Sequence, residues 1–115
     1  MTQHTGLDAE RWGAFDIDQQ ILMIANEMNR ACRAVERGEV DGTRRGYERV
    51  LRLVDLTVDG GPRPALLREL LRWRDLIADL YGSSRTEARL HRTAFRALLQ
   101  LRPESAKQIP LLLRD

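Results

Sequence analysis

Four arginines, Arg85, Arg89, Arg92 and Arg96, recur at intervals of 4, 3 and 4. On a helix that spacing lines them along one side, so they form a cationic ridge. Glu87 is the only acid between the first and the last, and the segment does not neutralise itself. A guanidinium offers a planar fork of donors that matches a carboxylate or a phosphate. The ridge therefore suits nucleic acid, where each arginine would displace condensed counterions, or another acidic partner. The alternative is a solvated face whose arginines pair with Asp75, Asp79 or other acids of adjacent helices. No aromatic side chain shares the ridge, so it offers unpaired bases no stacking platform.

His91 lies in the same segment, one turn before Phe95 and two before Leu98. It borders the apolar side, where a histidine either bonds a neighbouring helix or serves as acid or base. The run Arg85-Thr86-Glu87-Ala88-Arg89-Leu90-His91 resembles the arginine-to-histidine motif of HEPN-superfamily ribonucleases, small helical bundles that usually work as dimers. Thr86 holds the place of the polar residue that often follows the arginine there. The resemblance implies a metal-independent cut of RNA. His91 would be general acid or base on the 2′-hydroxyl and leaving oxygen, and Arg85 would steady the phosphorane charge. At about 100° per residue the two stand about 120° apart on an ideal helix. They converge only if Arg85 precedes the helix proper or acts across a dimer interface.

Other chemistries lack their residues. A di-iron bundle site needs inward Glu residues and paired Glu-x-x-His motifs, and the histidines are His4 and His91 alone. Cys32 is the single cysteine, which excludes an internal disulfide and a thiolate cluster. No Walker loop, dinucleotide fingerprint, nucleophile elbow or zinc spacing occurs. No metal or cofactor is expected. Asp55, inside Leu53-Val54-Asp55-Leu56, is expected to be partly buried against an arginine of a neighbouring helix.

These residues need helices to position them. From Tyr47 to Tyr81 the chain reads as a helical hairpin around Asp59-Gly60-Gly61-Pro62-Arg63-Pro64. One arm carries Tyr47, Val50, Leu51, Val54 and Val58, the other Leu66, Leu70, Trp73, Ile77 and Leu80, each at helical spacing. Upstream, Ile17, Ile21, Ile24, Met28, Ala31 and Val35 make another stripe, with Asp16 and Gln19 at capping-box spacing and Gly38 suited to the left-handed stop. Asn26, Asn29, Arg30, Arg33 and Arg37 lie away from that stripe and are expected to be exposed. Asp41 or Thr43 can cap the next helix. Ser84 and Glu87 repeat the capping-box spacing before a fourth helix from about Arg85 to Leu101.

Short loops between four such helices predict an all-α, up-down-up-down four-helix bundle. Its expected limits are a flexible lead-in over 1–14, the bundle over 15–102 and an apolar tail over 103–115. Trp12 and Phe15 are placed to seal one end of the core. The tail residues Ile109, Leu111, Leu112 and Leu113 either close the bundle or enter a partner. The third helix is apolar over a wide arc, which with Trp73 predicts an interface and a homodimer or small oligomer.

At 115 residues, 43% hydrophobic and 31% charged, the chain fits one soluble helical domain. No apolar run approaches the roughly 20 residues of a membrane span, and MTQHTGLDAERWG lacks a signal core, so a cytoplasmic protein is expected. Residues 1–81 carry 12 basic and 14 acidic side chains, residues 82–115 carry 7 and 3, so the basic surplus is C-terminal. The succession Asp18-Gln19-Gln20, Asn26-Glu27, Tyr47-Glu48-Arg49 and Leu53-Val54-Asp55-Leu56-Thr57-Val58 is similar to a group of uncharacterised small helical-bundle proteins of bacteria and archaea. The expected function is a non-enzymatic interaction module or assembly subunit, contacting nucleic acid or an acidic partner through the ridge. The alternatives are the HEPN-like ribonuclease and a helical antitoxin or adaptor that blocks its partner with the tail.

Overall fold

The computed structural model describes residues 9–113. His4 lies outside them. The described residues contain helix and no strand: α1 (Ala9–Gly13), α2 (Ile17–Glu36), α3 (Val40–Asp59), α4 (Pro64–Gly82), α5 (Ala88–Leu99), α6 (Pro103–Ala106) and α7 (Ile109–Leu112). The four longest pack in a ring, α2 on α3, α3 on α4, α4 on α5 and α5 on α2, which leaves α3 and α5 diagonal to each other. The all-α bundle read from the periodicity is the fold observed.

Local chemistry sets the boundaries. Asp16 accepts the amide of Gln19 at 2.8 Å while Gln19 returns its side-chain oxygen to the Asp16 amide at 2.9 Å, the reciprocal cap foreseen for α2. Gly38 ends α2 at φ 69°, a conformation that side chains with a Cβ rarely adopt. Further on the spacing misleads. Helix α3 is capped at Glu39, ahead of Asp41 and Thr43, and no side chain bonds its cap. Ser84 and Glu87 form no capping box: Ser83 and Glu87 are both extended, and α5 starts only at Ala88.

All six stripe residues of α2 except half-buried Ile17 are buried, and they join Tyr47, Val50, Leu53, Val54, Leu70, Ile77, Phe95 and Leu98 in the core. Where α2 crosses α3, a Cβ on Gly46 would lie 2.9 Å from the Cβ of Ala31. Glycine is what lets the two backbones come this close. At the other end of these helices, Trp12 is buried and donates its indole N–H to the Thr57 hydroxyl at 2.9 Å. The segment before α2 thus includes a helical turn, α1, clamped by Gln20, whose amide donates to the carbonyls of Trp12 and Phe15.

The tail folds onto this same end. The Ser105 hydroxyl is buried and donates to the Leu99 carbonyl at 2.8 Å, Arg102 pairs with Asp18 at 2.8 Å, and Leu113 enters the core.

Candidate functional site

Helix α5 is positioned from both sides. Trp73 of α4 donates its indole N–H to the Ala94 carbonyl at 2.8 Å. On the α2 side, His91 lies 2.9 Å from the Met28 carbonyl. With Arg102–Asp18 at one end and Glu36 and Arg92 both acting on Cys32 toward the other, α2 and α5 run antiparallel. At about 100° per residue, Arg89, Arg92 and Arg96 then point outward on the α2 side of α5. On α2, Asn26, Asn29 and Arg33 are exposed toward the same face.

The ridge is assembled there with one change of frame: Arg85 precedes α5 and is exposed in the extended link. Arg89 has its side chain 82% exposed and stands 3.6 Å from Glu87, itself exposed. Arg92 and Arg96 are half-buried and have contacts of their own. Arg89, Arg92, Thr93 and Arg96 line a shallow depression. The Thr93 hydroxyl donates to the Arg89 carbonyl at 3.0 Å. Among the described residues, Arg33, Arg37 and Arg85 have no carboxylate at ion-pair distance.

The charge of this face stands out from the chain. Residues 26–37 and 85–96 hold seven basic and three acidic side chains, a surplus of four, whereas the whole chain carries +2 and the remainder therefore −2. Spacing along α5 revealed half of this face. Arg33 and Arg37 were legible as exposed, but only the pairing of α2 with α5 joins them to the ridge.

His91 is fully buried, deeper than its boundary spacing implied. The Met28 carbonyl can only accept, so Nε2 carries the proton and Nδ1 accepts the Tyr47 hydroxyl at 2.7 Å. The Tyr47 and His91 rings stack at 5.7 Å. Burial holds His91 below the usual imidazole range, with the Met28 bond and the Glu36 charge opposing and Arg92 reinforcing that shift. Burial pushes the Tyr47 hydroxyl up to about 12, against a hydrogen bond from Thr86. Nothing in the sequence paired Tyr47 with His91, because they are 44 residues apart.

The remaining candidates divide. Trp73, expected at an interface, is 4% exposed and belongs to the core, since its indole N–H needs the α5 carbonyl. Of the tail, Leu113 is buried, Ile109 and Leu112 pack against the core, and Leu111 is 61% exposed. Asp55 is exposed, contrary to the expected partial burial, but it does bind an arginine of a neighbouring helix: Arg74 Nε lies 2.6 Å from one carboxylate oxygen and Nη2 3.3 Å from the other. Among the described residues no three His, Cys, Asp or Glu side chains gather as a metal would require, and no helix is long and apolar enough to cross a membrane.

Comparison with family models, with curated proteins and with solved structures finds no match to this chain.

Proposed function

We propose that this chain is a helical interaction module that takes an acidic partner on the face shared by α2 and α5. The observation that carries the reading is the surplus of four positive charges on two adjacent helical segments of a chain whose other residues sum to −2. Such a surplus repels itself, so it weakens the folded state and contributes only when a polyanion meets it. Arg33, Arg37 and Arg85 add to this, since no acid among the described residues lies at ion-pair distance from them.

The nuclease alternative asks His91 to exchange protons with bound RNA. Its full burial and its two occupied nitrogens favour a structural task instead. Arg85, exposed ahead of α5, fits the partner-binding face without any catalytic duty.

Retention on an immobilised sulfated polysaccharide tests the reading. Arg89→Glu and Arg52→Glu change net charge equally, but Arg52 sits on α3, diagonal to α5. Arg89→Glu should elute at clearly lower salt than Arg52→Glu. Equal elution of the two variants would mean that net charge alone matters, and the proposed face would be abandoned.

A further inference from the structure

We infer that the occupant of this face is double-stranded nucleic acid, held by its phosphates and not read by its bases; the inference rests on the basic-face reading above. Two absences and one geometry narrow the polyanion.

A protein partner needs an apolar centre to its contact. Among the described residues, the exposed large hydrophobic ones are Phe15, Val40, Leu71, Leu76, Leu90 and Leu111, and none lies on α2. Leu90 is on α5 and 44% exposed, but it stands about 100° round the helix from Arg89 and so lies off the ridge. A single strand needs rings on which its bases stack. Trp12, Tyr47, Trp73 and Phe95 are buried, Phe15 packs edge-on against Trp12, and Tyr81 lies on α4 beneath Arg44. No ring remains for the face. What it does present are guanidinium groups and the amides of Asn26 and Asn29, the groups that contact phosphate and sugar.

The cations form two rows, Arg33 on α2 with Arg37 at its C-cap, and Arg89, Arg92 and Arg96 on α5 with Arg85 leading into it. Axes of packed helices lie about 8–10 Å apart. That separation is of the same order as the widths of the duplex grooves, about 6 and 12 Å. Two rows so spaced suit two strands of phosphates better than one. A single strand or an acidic peptide has one line of charge and would leave one row unmet.

The experiment is fluorescence anisotropy with the full chain at 0.1 M salt. The probes are a 16-base-pair DNA duplex (about 16 pairs being one dsRNA-binding footprint), a scrambled duplex, the matching RNA duplex, each single strand, and poly-glutamate. The two original duplexes tell whether DNA or RNA is preferred, and a preference for either sustains the inference. Duplex should bind at least about 10-fold tighter than single strand or poly-glutamate, and scrambling should leave affinity unchanged. Arg33→Ala and Arg89→Ala should each weaken duplex binding on the order of 5- to 10-fold, the worth of one phosphate contact at this salt, with Arg52→Ala neutral. Single strand or poly-glutamate bound as tightly as duplex, with the same dependence on Arg89, overturns the duplex and leaves the basic face standing. Loss with Arg89→Ala but none with Arg33→Ala overturns the two rows. Binding to no probe, or binding indifferent to both arginines, overturns this inference and the basic face together. Circular dichroism of each variant separates lost contact from lost fold.

Discussion

Tyr47 and His91 meet in the core 2.7 Å apart, hydroxyl against Nδ1, while the same imidazole donates from Nε2 to the Met28 carbonyl. One side chain of α5 thereby ties α3 to α2 across the bundle. Tyr47→Phe removes the donor and leaves a buried acceptor unpaired, which costs about 1–3 kcal/mol. Urea unfolding checks this, and His91→Leu in the same background should add less than it does in the wild type. Additive losses would mean that the two residues are not coupled.

The same site gives stability a pH dependence. His91 is held below its ordinary pKa of about 6.5 by burial, so the unfolded chain binds its proton more readily than the folded one. The contribution is complete above about pH 6.5 and is lost as pH falls from there toward the folded value, at up to about 1.4 kcal/mol per unit. Unfolding free energies at pH 7.5, 6.5 and 5.5 should fall more steeply for wild type than for His91→Leu, the comparison cancelling the carboxylates common to both.

Gly46→Ala sets helix propensity against packing. Alanine favours a helix interior by about 1 kcal/mol, but its Cβ would meet that of Ala31 at 2.9 Å, and forced overpacking costs about 1–3 kcal/mol. The clash is between atoms fixed to two backbones, so packing should prevail and the melting temperature should drop. Adding Ala31→Gly should recover part of the loss, a coupling that would be missing if the helices simply moved apart.

The tail is part of the bundle. Leu113→Ala deletes a side chain that is 4% exposed and should cost about 2 kcal/mol or more. Leu111, 61% exposed, should tolerate alanine within about 0.5 kcal/mol. Thermal unfolding of the two variants makes the comparison. If both were neutral, the tail would contribute nothing to the fold.

Periodicity made the bundle legible because each long helix buries one side: the α2 stripe and the α4 stripe through Leu70, Trp73, Ile77 and Leu80 enter the core as spaced. Local signals were decisive only where one residue fixes the backbone, as at Asp16 and Gly38. They misled at Ser84–Glu87, where an extended link wins over a capping box. Trp73 illustrates the limit of reading a stripe, since apolar spacing is the same for a core and for an interface, and only the Ala94 carbonyl distinguishes them. The ridge was visible in α5, but Arg33 belongs to it through packing of helices distant in sequence, which no local spacing encodes.

The most direct measurement is the slope of log Kobs against log salt for duplex binding, in wild type and in Arg33→Ala/Arg96→Ala. Six phosphate contacts, one for each arginine of the face, give a slope of about −5.4, a loss on the order of 1,000-fold between 50 and 200 mM, and removing two contacts should flatten it to about −3.6. Parallel lines for the two proteins, or a wild type indifferent to salt, would contradict a phosphate-binding face on α2 and α5.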